Sequence, residues 1–210
     1  VVCVHSDKSV HWIVAIFSIL KAGGVYSSLD PGLPPNLRAT MFKNAGAKLF
    51  LTPATTQLCS TPSTCNSFDS VESILSEPVV DSGTINRTPK PWSNAYLCFT
   101  SGTTGTPKGV VCTHEGLVAF QSDLEVRLFA RPGVRISQTM SVAFDGSIHE
   151  IFSALTYGAT LVLPSTADPF GALESAHAAI LTPSIARVLN PDDYPLLKWV
   201  SNHKSPTPYL

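Results

Sequence analysis

The sequence has few charged residues and almost no net charge. Asp, Glu, Lys and Arg make up only 14% of its 210 residues, and the formal net charge is −1. A chain of this kind carries no basic surface that would bind nucleic acid or anionic lipid. Hydrophobic residues make up 44% of the chain. We therefore expect a globular chain of one or two domains, long enough to bury a substantial core.

Cysteine pairs and long apolar runs are also missing. The five cysteines form no C-x-x-C pair, and their odd number argues against a disulfide framework. The longest apolar run, residues 13–20, is much shorter than the ~20 residues that span a bilayer. The start of the chain shows no signal peptide. These absences predict a cytoplasmic chain that does not insert into a membrane.

A loop of small and hydroxylated residues lies between two apolar runs. Five of the seven residues 100–106 carry hydroxyl groups, and the other two are Gly102 and Gly105. Lys108 follows, but the next residue is Gly109 and the spacing is not that of a Walker loop. Little side-chain bulk, several hydroxyls and one cation suit the binding of a polyanion such as a phosphate chain. A flexible Ser/Thr/Gly turn is the alternative.

Apolar runs and turn residues predict the order of helices and strands. Before the loop they predict strand, helix, strand, helix and strand, with Ser9 as the N-cap of the first helix. This alternation indicates an α/β fold with a parallel core. After the loop, we expect helices over residues 113–128 and 172–179 and a strand over residues 136–141.

Three sequence blocks resemble those of a known enzyme family. Residues 96–109, Tyr-Leu-Cys-Phe-Thr-Ser-Gly-Thr-Thr-Gly-Thr-Pro-Lys-Gly, are similar to the phosphate-loop signature of adenylate-forming enzymes. Residues 20–31 resemble the L-K-A-G-x-A-Y-x-P-[IL]-D block of peptide-synthetase adenylation domains, with Ser28 in place of proline. Residues 144–150, Phe-Asp-Gly-Ser-Ile-His-Glu, resemble the F-D-x-S-x-x-[DE] block of the same group.

The resemblance implies a fold and a reaction. The fold is α/β, part of a large N-terminal subdomain with mixed, mostly parallel sheets flanked by helices. The reaction joins an amino acid to ATP as aminoacyl-AMP for nonribosomal peptide synthesis. The implied cofactors are ATP with Mg²⁺ and a 4′-phosphopantetheine group on a carrier domain, and a condensation domain is a further implied partner. The implied ATP phosphate-binding residues are Thr100, Ser101, Gly102, Thr103, Thr104, Gly105 and Lys108.

The Phe-Asp block has two interpretations. In the first, Ser147 caps a helix and Glu150 reaches back to it, as in a capping box. In the second, Asp145 and His149 lie four residues apart on one helical face and point into a pocket. The two are compatible. From the residues alone, Asp145 is more typical of a helix cap than of a ligand.

The resemblance favours a substrate site at the same block. It implies that Asp145 pairs with the α-ammonium group of an amino acid. The other implied substrate-binding residues are Gly146 and His149, and Ser184 in a stretch similar to the family's L-x-P-[ST]. Because Gly146 lacks bulk and the other two residues can form hydrogen bonds, we expect a polar or aromatic amino acid.

The resemblance extends over residues 1–200 as a partial adenylation domain, with a Ser/Thr/Pro-rich crossover at residues 53–94. Residues 201–210 form a tail without a pattern. The family's C-terminal domain and its catalytic lysine have no counterpart here, so no catalytic residue or metal ligand is assigned. We therefore expect the chain by itself to be inactive or to bind nucleotide weakly. The alternatives are a non-catalytic remnant, and a ligase that activates acyl or aryl acids.

Overall fold

The computed structural model describes residues 1–53, 67–78, 88–100, 107–165, 167–202 and 205–208. The chain divides into two compact units, residues 1–117 and 118–210. Each unit is built on a mostly parallel sheet flanked by helices. The α/β prediction from the alternation of strands and helices is therefore confirmed.

The first unit contains a six-stranded sheet. Its strands are β1 (Val2–His5), β2 (Tyr26–Leu29), β3 (Leu49–Thr52), β4 (Ser67–Ser70), β5 (Asn94–Thr100) and β6 (Lys108–Thr113). Their order in the sheet is β4-β3-β1-β2-β5-β6. All neighbours pair in parallel except β5 and the edge strand β6, which are antiparallel. The carboxyl ends of β1, β2 and β5 consequently lie along one edge of the sheet.

Helices α1 (Val10–Lys21), α2 (Pro35–Asn44) and α3 (Val71–Ser76) belong to the first unit. The predicted cap of α1 is confirmed, because Ser9 Oγ accepts the N–H of Trp12 at 3.2 Å. Gly23 ends the helix at φ +74°, a conformation that a side chain would strain. The inner face of α1 is fully buried at Trp12 and Ile16. This apolar face explains why the helix packs on the sheet.

Helix α4 (His114–Phe120) is much shorter than the predicted helix over residues 113–128. Its end has a local cause at Asp123, whose carboxylate accepts the N–H groups of Glu125 and Val126 at 2.9 and 3.0 Å. A continuing helix would bond those N–H groups to backbone carbonyls four residues earlier. Aspartate competes with the backbone in this way, and the chain turns instead.

The second unit contains a five-stranded sheet. Its strands are β7 (Arg135–Ser137), β8 (Thr160–Val162), β9 (Ala178–Ile180), β10 (Trp199–Asn202) and β11 (Ser205–Pro208). Their order is β11-β10-β9-β7-β8, and only β11 is antiparallel to its neighbour. The helices are α5 (Asp145–Thr156), α6 (Gly171–Glu174) and α7 (Pro183–Val188). β7 occupies only the start of the strand predicted over residues 136–141.

The predicted helix over residues 172–179 is wrong. Helix α6 ends at Glu174, and the two alanines Ala178 and Ala179 lie in β9 with no exposed surface. Alanine favours helices intrinsically, but burial in the middle of a sheet overrides this weak preference. Ile136 of the neighbouring strand is equally buried and packs in the same core as Ala178. In the described part of the chain, no helix is long and apolar enough to cross a bilayer.

Candidate active site

The predicted phosphate loop connects the two strands of a β-hairpin. Thr100 ends β5 opposite Lys108, which begins β6. Thr100 Oγ1 lies 3.5 Å from the backbone oxygen of Lys108, and both residues are exposed. The strand–loop–strand order predicted from the sequence is therefore present. The other predicted phosphate-binding residues, Ser101, Gly102, Thr103, Thr104 and Gly105, lie outside the described residues.

The hairpin loop leaves β5 at the edge where β1 and β2 also end. In open α/β sheets, ligands bind beyond the carboxyl ends of the parallel strands. Ser6 and Ser28 lie near this edge, and Ser28 Oγ donates to Ser6 Oγ at 2.9 Å. Ser28 stands where the resembling block has proline, and proline has no side-chain donor that could form this hydrogen bond. The sequence showed the departure from the block but not the partner.

A buried tyrosine connects this pair of serines to α1. Trp12 Nε1 donates to Tyr26 Oη at 2.8 Å, and Tyr26 Oη lies 3.1 Å from Ser6 Oγ. Since Ser6 donates its own proton to the backbone oxygen of Val4, the tyrosine hydroxyl is the donor to Ser6. Burial raises the pKa of Tyr26 to about 12. The hydroxyl therefore stays protonated at neutral pH.

Asp145 is the first residue of α5. The preceding residue, Phe144, is the N-cap and makes no side-chain hydrogen bond to the helix. The interpretation of Asp145 as a cap is therefore wrong, and its side chain is exposed at the start of the helix. An exposed carboxylate at this position is accessible to a ligand.

The predicted capping box is also wrong. Helix α5 begins earlier than that box requires, so Ser147 lies within the first turn. Its hydroxyl donates to the backbone oxygen of Phe144 at 2.8 Å. Glu150 does not reach back to Ser147. Its carboxylate accepts hydrogen bonds from Gln138, Thr139 and Met140, on the segment after β7.

Gly146 opens no cavity where it lies in α5. A Cβ atom added to it would lie 2.9 Å from Cε and 3.1 Å from Cγ of Met140. Met140 is 6% exposed, so its side chain already fills the space beside the glycine. The sequence could not show this contact, because the two residues lie in different elements and their sizes are matched only in three dimensions.

His149 lies one turn after Asp145 on α5, as predicted, but its ring is held by the protein. Nε2 hydrogen-bonds the backbone oxygen of Val126, and a carbonyl can only accept, so Nε2 carries the proton. The ring also packs edge-on against Phe120, with centroids 4.8 Å apart. These contacts fix the orientation of the imidazole.

Ser184 lies in the first turn of α7. Thr182 is the N-cap of this helix and accepts the N–H of Ile185 at 3.4 Å. The exposed Ser184 hydroxyl lies 3.2 Å from that of Thr182. Because β7 and β9 are parallel neighbours, α5 and α7 both begin beyond the same edge of the sheet. The fold thus brings Asp145 and Ser184 to one edge.

A cavity of about 340 Å³ lies elsewhere in the second unit. Most of its lining is apolar, including Leu181, Ala186, Leu189, Leu197 and Val200. None of the four predicted substrate-binding residues lines it. This cavity is therefore distinct from the candidate site at the start of α5.

Comparison with known proteins decides the family. The AMP-binding enzyme family matches residues 1–207. The chain belongs to this family. The family match spans both units, the hairpin loop and the start of α5, and it agrees with the resemblance read from the three sequence blocks.

Individual relatives agree with this membership. The chain is 58% identical over 201 residues to "Nonribosomal peptide synthetase aclP" of Aspergillus oryzae, covering 96% of this chain and 12% of the relative. It is 55% identical over 201 residues to "Nonribosomal peptide synthetase ataP" of Aspergillus terreus, covering 95% of this chain and 13% of the relative. The chain thus spans about an eighth of the length of the curated relatives it matches.

A solved structure agrees with the fold. The complex of VinN with L-aspartate superposes with a TM-score of 0.77 at 24% identity, covering 96% of this chain and 55% of that one. At this identity the likeness shows the fold alone. It confirms the predicted mixed, mostly parallel α/β architecture.

Proposed function

We propose that this chain is part of an adenylation domain that activates an amino acid as aminoacyl-AMP for nonribosomal peptide synthesis. Asp145 is the observation that carries the proposal. Its exposed carboxylate begins α5 in a chain of the AMP-binding enzyme family. A substrate ammonium that leaves water requires a negative partner. Acyl and aryl acids have no ammonium group, so the alternative ligase makes no use of Asp145.

The hairpin loop is the proposed site for the phosphate chain of ATP. In the reaction, a carboxylate oxygen of the amino acid bonds to the α-phosphorus, and the bond from that phosphorus to the bridging oxygen breaks. Pyrophosphate leaves with the electron pair and additional negative charge. Lys108 would neutralise part of that charge, and the hydroxyls of Thr100 and the loop would donate hydrogen bonds to it.

Mg²⁺ accompanies ATP in the proposed reaction, but no step is assigned to metal ligands of this chain. Among the described residues, no three His, Cys, Asp or Glu side chains come together as a metal site requires.

We also propose that residues 1–200 form one part of the adenylation domain. A carrier domain with 4′-phosphopantetheine and a condensation domain are its proposed partners, as the similarity to nonribosomal peptide synthetases suggests.

The proposed substrate is a polar or aromatic amino acid. Support now comes from His149 and Ser184, because Met140 fills the space that Gly146 would otherwise leave. The imidazole of His149 has a fixed orientation, and the hydroxyl of Ser184 is exposed. Preference for a small aliphatic amino acid would contradict this choice without affecting the role of Asp145.

The test is amino-acid-dependent exchange of pyrophosphate into ATP, measured with each of the common amino acids on the purified chain and on a longer polypeptide that also contains the family's C-terminal domain. Asp145→Ala should lower exchange by about 100-fold, because an ammonium group without its partner is left unpaired. Glu115→Ala is the matched control, since Glu115 is also an exposed carboxylate in the first turn of a helix. If the purified chain shows no exchange with any of the amino acids, the result would favour a non-catalytic remnant. Equal loss in both variants would contradict the assignment of Asp145.

A further inference from the structure

A second carboxylate of α5 lies inside the protein. Glu150 has no exposed surface. Its two oxygens accept the N–H of Thr139 at 3.1 Å and the N–H of Met140 at 3.2 Å, and the side-chain amide of Gln138 at 3.1 Å. A buried carboxylate is costly without such donors, and here three donor groups satisfy it.

The donors to Glu150 belong to one short segment that follows β7. Gln138 is also fully buried, and its side-chain amide donates a second hydrogen bond to the backbone oxygen of Met140 at 2.8 Å. The backbone N–H of Gln138 donates to the oxygen of Val162 at the end of β8. The segment is therefore tied to the sheet on one side and to α5 on the other.

The same segment contacts the first turn of α5. The side chain of Met140 lies against Gly146, where it leaves no space for even a Cβ atom. Only four residues separate Met140 from Asp145 in the sequence. A displacement of Met140 would therefore be transmitted to the turn that carries Asp145, both along the chain and through this contact.

We propose that Glu150 is a positioning residue that holds residues 138–144 and thereby sets the Asp145 carboxylate for the substrate's ammonium group. This role rests on the proposed function of Asp145. Glu150 itself touches no substrate, because it is buried beneath the segment it holds. Its effect reaches the substrate only through the backbone of that segment and the first turn of α5.

A carboxylate suits this role better than an amide of the same size. Both oxygens of Glu150 accept hydrogen bonds, and bonds to a charged acceptor are the stronger kind. In Glu150→Gln one acceptor becomes an NH₂ group, which would face the N–H of Met140 or the amide of Gln138. The variant keeps the volume and loses part of the tie, so it is suited to test positioning without creating a cavity.

The experiment combines hydrogen exchange with ligand binding, both on the complete 210-residue chain. Deuterium uptake is measured for the amides of Thr139 and Met140 in the unmodified chain and in Glu150→Gln. Binding is measured for a stable sulfamoyl mimic of aminoacyl-AMP, with the side chain chosen by the exchange assay or by screening the mimics themselves. A second mimic is identical but lacks the α-amino group.

Ser153→Ala is the matched control. Ser153 is also a buried polar residue of α5, but its hydroxyl donates to Gln121 at 2.9 Å and not to the segment after β7. This variant should reduce stability without changing uptake at residues 139–140. It should leave the affinity for both mimics within about twofold, because a substitution that is distant from a site usually has little effect on binding at that site.

Support requires two results in Glu150→Gln. Uptake at residues 139–140 should rise, and the affinity for the aminoacyl mimic should fall about tenfold, the factor expected when a charge-assisted contact is weakened. The mimic without the amino group should lose no more than about twofold. Unchanged uptake, or equal loss for both mimics, would overturn the positioning role.

The outcome also separates this inference from the proposed function. If the unmodified chain binds neither mimic, the proposed function fails for this chain and the positioning role fails with it. Increased uptake in the variant would then assign Glu150 to the stability of the segment alone. If the unmodified chain binds the aminoacyl mimic and Asp145→Ala weakens it, the function stands, and the Glu150→Gln comparison decides the positioning role by itself.

Discussion

Replacing Tyr26 with phenylalanine should destabilise the first unit through one specific group. The substitution removes the hydroxyl that accepts from Trp12 and donates to Ser6. Ser6 keeps its bond from Ser28, but the indole N–H of Trp12 is left in a fully buried position without its acceptor. An orphaned buried donor costs about 1–3 kcal/mol. We therefore expect the free energy of unfolding to fall by about 2 kcal/mol at pH 7.

The pH dependence provides a second measure of the same group. The pKa of Tyr26 is about 12 in the folded protein, against an ordinary value of 10.0. Because the folded value is raised, the stability that depends on the protonated hydroxyl is complete below pH 10 and is lost as the pH rises towards 12. Tyr26→Phe has no such loss. The difference between the two proteins should therefore shrink by about 1 kcal/mol between pH 9 and pH 11.

The assay is urea unfolding followed by tryptophan fluorescence at several pH values. Tyr194→Phe is the control at pH 7, since Tyr194 is only partly buried; burial also raises the pKa of Tyr194, so this control is not applied above pH 9. It should change the unfolding free energy by less than about 0.5 kcal/mol. Equal stability of Tyr26→Phe and the unmodified chain at pH 7 would refute the buried network. A difference that stayed constant up to pH 11 would refute the raised pKa.

Two further predictions concern packing and acid sensitivity. Gly146→Ala should lower the free energy of unfolding by about 1 kcal/mol because it displaces Met140. In a Met140→Ala background the same substitution should be stabilising. Equal effects in both backgrounds, measured by thermal unfolding, would contradict the contact. Burial, and then the charge of Arg38, lower the pKa of His5, so stability that is complete above pH 6.5 should be lost as the pH falls below it. His5→Gln should show a smaller loss of the urea midpoint between pH 7 and pH 5, and an identical loss would contradict the lowered pKa.

Periodic and locally encoded features could be predicted from the sequence. Ser9 and Gly23 mark the ends of α1 because a cap and a left-handed residue act within a few positions of themselves. The hairpin around residues 100–108 follows from two apolar runs separated by small residues. The Phe-Asp block predicted the position of Asp145 at a helix start, although not that Phe144 is the N-cap.

Features that depend on distant partners could not be predicted. The capping box was predicted from local spacing alone, but the carboxylate of Glu150 accepts hydrogen bonds from the segment after β7 instead. Similarly, the alanines of β9 carry a helical preference that burial between neighbouring strands overrides. Gly146 lacks bulk in the sequence, but whether that lack makes a pocket depends on Met140. In each case the deciding contact joins residues from different elements.

The two acidic residues of α5 show how position on one helix separates their tasks. Asp145 begins the helix with an exposed carboxylate, where it can meet an ammonium group and where the helix N-terminus favours negative charge. Glu150 lies five residues later in a region without solvent, where a carboxylate is retained only if backbone and amide donors satisfy it. Neither acid could do the other's task. A buried acid without donors would destabilise the helix, and an exposed acid contacts no segment that it could hold in place. On the two roles proposed above, this sequence block combines a ligand contact with the support that orients it.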